Sequence, residues 1–501
     1  MFEQAYERSD GGHQRSEIPT AFKAYERFKI DTNPAPSRIR QVHPFIPQIN
    51  QIRLALMLIR EILRNAGNLK EKKYRKVVLS RPCIYGVFSG RLGGFHPQRE
   101  LCTGCMRCVQ EYPSICRVEK NPEFMKFKDS YWTSKNHSTS SFSPVATVNF
   151  EAETGEIPIK GMGFKGEFAK PGWDSMWTDM SEIVRPTRDG VYGREYISTL
   201  VDIGRKPSYV EFSGARPIVR SRTVQLPIPI IFDYLPPPMS SECIKHSISM
   251  ASHRIGTFYI ERLHETRNVG VAENSRMIPL ITSAELEKES SLISKANLIE
   301  CVLDGSSAYK KIRSLNSRAP LISRVPFKKG IKEIAIEQAQ EGVDALHLHA
   351  NYHGQGIGGS DSEFVKDMIR SVHKALVEAG VRDEITLIAS GGIILAEHVP
   401  KAIICGADLV AIDTTILVAL QSRFEDECLS AEMGRIKKES FSADWGSQRL
   451  TNLLGAWHDQ LIEILSAMGM RDVRRLRGDV GRAMFKEDLE KDVFDQIAHR
   501  T

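Results

Sequence analysis

The chain has 501 residues, 41% of them hydrophobic and 26% charged, with a formal net charge of +6. That length supports a large core and more than one domain. The composition is that of a globular chain. So small a charge leaves no electrostatic footprint for nucleic acid, while mildly favouring acidic small molecules or an acidic electron carrier.

Residues 1–80 read as an irregular leader followed by one helix. Met1 to Pro19 is polar with charges of both signs, unlike a secretory signal. Leu54 to Leu63 is apolar at helical spacing and ends in Arg64, an amphipathic helix expected to pack on its own protein. The longest apolar stretches are broken by Arg, Glu or Pro, so no membrane span is expected.

Residues 81–144 form a cysteine region and a linker. Cys102, Cys105 and Cys108 make an overlapping C-x2-C-x2-C triplet. Three thiols at that spacing on a curled loop can hold three corners of one inorganic cluster, as ferredoxins do. Where a two-cluster ferredoxin places its next Cys-Pro, this chain has Tyr112-Pro113, which points to a single cluster. The fourth ligand must come from elsewhere, with Cys116 the nearest candidate and Cys83 the second. Zinc is the rival, but it usually takes two separate cysteine pairs. Cys243, Cys301, Cys405 and Cys428 stand singly in apolar surroundings and read as buried small hydrophobes. An odd total of nine cysteines with one metal-type group suits a reducing, cytoplasmic setting. Asp129 to Pro144, rich in Ser, Thr and Asn, reads as a linker.

Residues 145–215 read as an irregular arm of short strand-like runs. After Leu226 apolar runs alternate with helical stretches. The runs are Ile228–Tyr234, Gly256–Ile260, Met277–Ile281, Asn297–Leu303, Pro320–Val325, Val343–His349, Glu384–Ala389 and Ala407–Ile412. Helices fit Ser241–Arg254, Lys329–Glu341, Ser362–Ala379 and Ala396–Cys405. Eight buried strands separated by helices predict an α/β fold, a (β/α)8 TIM barrel, with an open doubly wound sheet as the alternative. Pro279 makes the third run the weakest match. Leu453–Met468 is a further helix, before a charged tail.

Barrel enzymes work at the carboxyl ends of their strands. The seventh run leads into Ser390, Gly391 and Gly392, where glycines let backbone N–H groups approach a phosphate. The eighth leads into Asp413, Thr414 and Thr415, whose hydroxyls could join them. Two tight turns are the plainer reading. Alternation places His347 and His349 on one strand face, ahead of the polar, glycine-rich loop Ala350 to Gly359. A polar contact or a satisfied core histidine fits these better than a metal site. Arg324 closes its strand pointing into the mouth, a fixed cation for an anionic reduced flavin or a substrate carboxylate.

The run Trp173-Asp174-Ser175-Met176-Trp177-Thr178-Asp179-Met180-Ser181-Glu182-Ile183, the runs Arg194 to Ser198 and Asp202 to Pro207, the Ala389 to Gly392 turn, Thr414 to Leu420, and the late Gly469-Met470…Gly478 pattern together resemble the FMN-binding glutamate synthase-like family. The resemblance implies an FMN-bearing barrel that reduces 2-iminoglutarate to glutamate, with electrons relayed through iron–sulfur centres. Together with the residues read above, Arg324 and His347 are the expected catalytic residues. Ser390, Gly391, Gly392, Thr414 and Thr415 are the expected FMN contacts, and Cys102, Cys105, Cys108 and Cys116 the expected ligands of a [4Fe-4S] cluster. The expected division is 1–80 leader and helix, 81–144 iron–sulfur region and linker, 145–482 synthase-like domain with the barrel at about 226–430, and 483–501 tail.

The chain departs from that pattern in places. The family's three-cysteine loop after the last barrel strand is reduced to Cys428 within Glu425 to Ser430, so no 3Fe–4S cluster is expected there. Arg324 stands for the family's barrel lysine, and the two are not equivalent. Glu261-Arg262-Leu263-His264 replaces a glycine-rich loop, and Asn351-Tyr352-His353 replaces Gly-His-Asp. With Phe2 at position 2, no N-terminal cysteine nucleophile releases ammonia, so free ammonia or a partner is expected to supply it. The expected protein passes electrons from an external donor, such as ferredoxin or a reductase subunit, through the cluster and FMN to an imine or 2-oxo acid. The alternative is an electron-transfer subunit of a larger complex without a substrate of its own.

Overall fold

The computed structural model describes residues 28–38, 43–64, 83, 85–90, 93–122, 144–157, 172–178, 196–207, 209, 211–214, 216–218, 222–262, 275–282, 285–286, 290–302, 306–357, 363–424, 435–437 and 439–498. The linker expected at 129–143, the segment 179–195 and the Cys428 loop lie outside them.

Strand β1 (Phe45–Ile49) leads into helix α1 (Gln51–Arg64), followed by α2 (Arg107–Glu111) and β2 (Cys116–Lys120). β1 and β2 pair antiparallel with Ile49 opposite Cys116. Leu54, Val87, Phe88, Cys108, Ile115 and Cys116 form a small core of their own, with Met57 and Leu58 packed against it. Ile52, Leu56, Ile59 and Leu63 remain exposed, so only part of the apolar surface of α1 packs on the protein.

The arm expected to be irregular begins instead with helix α3 (Pro144–Thr154). Pro144 occupies its first turn, where a missing N–H is harmless, and Val145, Val148 and Ala152 bury one face. Next come β3 (Met176–Thr178), β4 (Val201–Arg205), β5 (Glu211–Ser213), β6 (Arg216–Ile218) and β7 (Arg222–Leu226). β4 pairs antiparallel with β7, and β5 with β6. β4 lies across the barrel's entry end: the Gly204 N–H donates to Thr386 Oγ1 (3.0 Å) and the Lys206 N–H to the Glu384 carbonyl (2.8 Å).

The barrel follows as β8 (Ile230–Phe232), α4 (Glu242–Ile255), β9 (Tyr259–Arg262), β10 (Met277–Thr282), α5 (Ser290–Ile293), β11 (Ile299–Val302), α6 (Ser306–Leu315), β12 (Leu321–Pro326), α7 (Ile331–Gln340), β13 (Ala345–His349), α8 (Val365–Glu378), β14 (Thr386–Ser390), α9 (His398–Cys405), β15 (Leu409–Ile412) and α10 (Thr414–Ala419). The eight strands β8 to β15 close into a parallel barrel. Each overlaps one of the eight apolar runs, although β9 starts later than Gly256–Ile260 and runs on to Arg262. Pro279 does sit within β10, opposite Glu261 of β9. Strands buried on both faces read as continuous aliphatic runs, which is why the pattern was legible.

Helix α11 (Ala443–Ala467) starts well before the expected Leu453. Gly446 and Gly455 hide the helix from a propensity reading, yet both serve packing. A Cβ at Gly446 would lie 2.2 Å from Ser247 Oγ of α4. Arg449 of α11 is wholly buried and donates to the carbonyls of Ala419 (2.6 Å) and Ala35 (2.8 Å) and to Asn149 Oδ1 (3.0 Å). It thereby binds the last barrel helix, α3 and residues 33–37 into one body. The tail opens with β16 (Ala483–Phe485), which pairs with β3, and ends in α12 (Lys486–Ala498).

The two ends of the barrel differ. At the strands' starts, Asp344 is held by Arg313 and by Arg222 (3.4 Å), and Asp408 by Arg382 (2.9 Å) and Arg477 (3.1 Å). Such pairs at the amino-terminal face belong to stability, whereas chemistry belongs at the other end.

Candidate functional site

Two regions carry chemistry. In the first, Met106, with φ of 60°, turns the chain into α2 and places Cys108 in its first turn. Cys83, Cys102, Cys105 and Cys108 line one hollow of about 320 Å³, open solvent included, together with Thr103, Gly104, Val87 and Phe88. Thr103 Oγ1 is buried there without a hydrogen-bond partner. The triplet is thus gathered as its spacing predicts. Cys116 is buried at the start of β2, in the same small core as Cys108. Among the described residues, no three His, Cys, Asp or Glu side chains are drawn together tightly enough to hold a single metal ion.

The second region is the barrel mouth. Arg324, on β12, is nearly buried and is not a free cation. Its Nη1 donates to Asp233 Oδ1 (2.7 Å) and Glu300 Oε1 (2.9 Å), and its Nη2 to Asp233 Oδ2 (3.1 Å) and His349 Nδ1 (3.2 Å). Burial works against its charge, but Asp233 and Glu300 hold its pKa above the usual arginine value. Burial likewise pushes both carboxyls up. The charge of Arg324 on Asp233, and those of His347 and Arg324 on Glu300, outweigh this and hold both below the carboxylate range. His349 is pushed down to about 3, first by burial and then by Arg324, so it is neutral at ordinary pH and Nδ1 can accept from the guanidinium.

His347 lies beside Arg324 across the β12–β13 ladder. Its Nδ1 is 3.0 Å from Glu300 Oε1 and its Nε2 is 2.9 Å from Ser390 Oγ. Glu300 fixes the Nδ1 proton and leaves Nε2 to exchange one with the serine hydroxyl. All three side chains are buried, so the row orders a proton and offers no exposed nucleophile.

After β14, Gly391 (φ 94°) and Gly392 (φ 70°) take conformations that disfavour other residues. A Cβ on Gly391 would sit 2.5 Å from the Asn351 carbonyl oxygen, and one on Gly392 would sit 2.7 Å from Gly354 Cα. The glycines therefore admit the neighbouring loop. Trp173, from the arm, donates its Nε1–H to the Gly392 carbonyl (3.1 Å), and Lys401 donates to the Trp173 carbonyl (2.7 Å). Thr415 Oγ1 donates to the Ile393 carbonyl (2.8 Å) and shapes the same turn. Thr414 Oγ1 and Asp413 Oδ2 are buried with no partner, beside β14 at the end of β15. The free donors at this corner are thus Thr414 and the glycine N–H groups, while the Ser390 hydroxyl is engaged by the histidines.

Residues 289–471 match the family model for the conserved region in glutamate synthase. That stretch runs from α5 to just past α11 and contains Arg324, His347, Ser390 and Thr414. Over that stretch the chain is similar to glutamate synthases. It is 23% identical over 449 residues to an archaeal-type glutamate synthase [NADPH] of Dehalococcoides mccartyi, covering 76% of this chain and 86% of that one. It is 22% identical to an archaeal glutamate synthase [NADPH] of Archaeoglobus fulgidus, covering 83% and 93%. Among solved structures, a mandelate oxidase variant with 2-hydroxy-phenylacetamide aligns at 12% identity and a TM-score of 0.37, over 60% of this chain and 97% of that one.

Sequence reading missed Asp233 and Glu300 as members of the mouth, and placed Asp413 in the last turn without a role of its own. Glu300 had a signal: it is a lone acid inside the aliphatic run Leu298-Ile299-Glu300-Cys301, and a strand so buried places an acid inward only with a partner. Asp413 is pushed up to about 7 by burial and then by neighbouring Asp233. A raised carboxyl contributes stability that is full below its unfolded pKa, about 3.9, and is lost as pH rises through the folded value. Asp413→Asn keeps an acceptor for the Thr414 N–H and removes the buried charge. The variant is expected to be more stable than wild type at pH 8 by roughly 2–4 kcal/mol, with little difference at pH 4. Urea unfolding at the two pH values measures it, and a gain independent of pH contradicts the assignment.

Proposed function

We propose that the chain is an iron–sulfur flavoprotein oxidoreductase of the glutamate synthase type, working in a reducing, cytoplasmic setting. It takes electrons from an external donor through a [4Fe-4S] cluster at the cysteine hollow to FMN at the barrel mouth, and on to an imine or 2-oxo acid. What supports this most is that four thiols around one hollow and a closed barrel bearing the glutamate synthase region occur in one chain. The residues present fit both groups. Thr414 Oγ1 is an unsatisfied buried polar atom in the turns that would hold a flavin phosphate, and Thr103 Oγ1 is one in the hollow. Gly391, Gly392 and Thr414 would contact the phosphate, with Ser390 and Thr415 holding the turns. FMN, when bound, supplies the exchange between one-electron input and two-electron delivery.

The protein's own residues have three tasks at the mouth. Arg324 keeps Asp233 and Glu300 ionised and in place. Glu300 orients His347, which holds a proton within reach of Ser390 Oγ. Trp173 fixes the turn after β14. Protein purified without oxygen should be yellow-brown, contain iron and acid-labile sulfide, and release FMN on denaturation. With 2-oxoglutarate, ammonium and a reduced artificial donor it should form glutamate. Colourless protein containing zinc alone would sink the proposal.

One observation favours a second reading, an electron-transfer subunit without its own substrate. Arg324, the cation expected to meet a substrate carboxylate, is already shared by two carboxylates. Flavin and cluster present, reducible by donor, yet no turnover of 2-oxoglutarate with ammonium would select that reading.

A further inference from the structure

The proposed cluster needs a fourth thiolate, and this inference rests on the cluster being there. Two cysteines outside the triplet are near enough. They differ in where they sit. Cys83 lines the hollow with Cys102, Cys105 and Cys108, and Cys116 does not. The backbone of Cys116 is fixed by strand pairing opposite Ile49, and its side chain is buried within the small core.

We infer that Cys83 is the fourth ligand of the cluster, and that Cys116, held in the small core, is not a ligand. Cys83 loses its thiol proton to solvent as its sulfur bonds iron.

The test uses the full chain, purified without oxygen, as wild type, Cys83→Ser and Cys116→Ser. Iron, acid-labile sulfide and electron paramagnetic resonance (EPR) spectra are measured, with bound flavin as a folding control. Cys83→Ser should lose iron and sulfide, or show the oxidised-state signal of a three-iron centre. Cys116→Ser should keep both at the wild-type level. Should Cys83→Ser fail to accumulate, Cys83→Asp carries the same prediction: its oxygen ligand should retain the iron and change the reduced-state EPR spectrum, and an unchanged spectrum overturns the ligand assignment. Wild-type iron and spectrum in Cys83→Ser, or loss of iron in Cys116→Ser, also overturns it. Wild-type protein lacking iron and sulfide defeats the cluster itself, and with it this inference.

Discussion

Replacing Arg324 with methionine should destabilise the protein by about 3–5 kcal/mol at pH 8, a large share of the roughly 5–15 kcal/mol that holds a typical domain together. The side chain is 9% exposed and its two carboxylate partners are 1% and 0% exposed. Methionine fills much of the volume, so the loss is electrostatic rather than a cavity effect. It leaves Asp233 and Glu300 charged, buried and facing one another. Their response to pH should reverse in sign. In the wild type both carboxyls lie below their ordinary values. They contribute stability that is present above about pH 4 and lost as pH falls below it. Without the guanidinium, burial dominates and both pKa values rise. The contribution is then full at low pH and lost as pH climbs through neutrality. Urea unfolding at pH 5 and pH 8 should therefore show Arg324→Met losing far more at the higher pH. Adding Asp233→Asn and Glu300→Gln should recover most of the loss. A single-variant loss under about 1 kcal/mol would mean that the triad is solvated and worth no more than a surface pair.

The second large effect concerns the cysteine hollow. Cys105→Ser should abolish the visible absorbance of the proposed cluster while leaving FMN bound at the wild-type level. Cys105 is exposed and outside the small core, so serine there removes a ligand without opening a cavity. The elements carrying the triplet pack on one another around Leu54, Phe88 and Ile115, and the barrel has a core of its own. Nothing in that arrangement makes the flavin turns depend on the cluster. Anaerobic absorbance spectra with flavin release measure both quantities on one sample. Equal loss of the two would show that the regions fold as one unit, against the division into a cysteine region and a synthase-like domain.

Local order was legible wherever one short stretch of chain carries its own cause. The eight strands show as aliphatic runs because each is buried on both faces. The cysteine triplet shows because three thiols sit within seven residues. Helix α11 was misjudged at its start because Gly446 there answers to a partner elsewhere, Ser247. The exposed stripe of α1 has the same cause, since periodicity marks apolar residues but not which of two faces finds a neighbour.

The sequence by itself determined the barrel, the turns after β14 and β15, and the thiol spacing, because side-chain burial and ligand spacing act over a few residues. Only the tertiary structure decided what Arg324 is. Its partners lie 91 and 24 residues away and meet it only when the barrel closes, and that closure turns a cation available to an anion into the centre of a buried ion triad. It also set Cys83 on the hollow of the triplet and held Cys116 in the small core, because strand pairing and a turn, not distance along the chain, place a thiol.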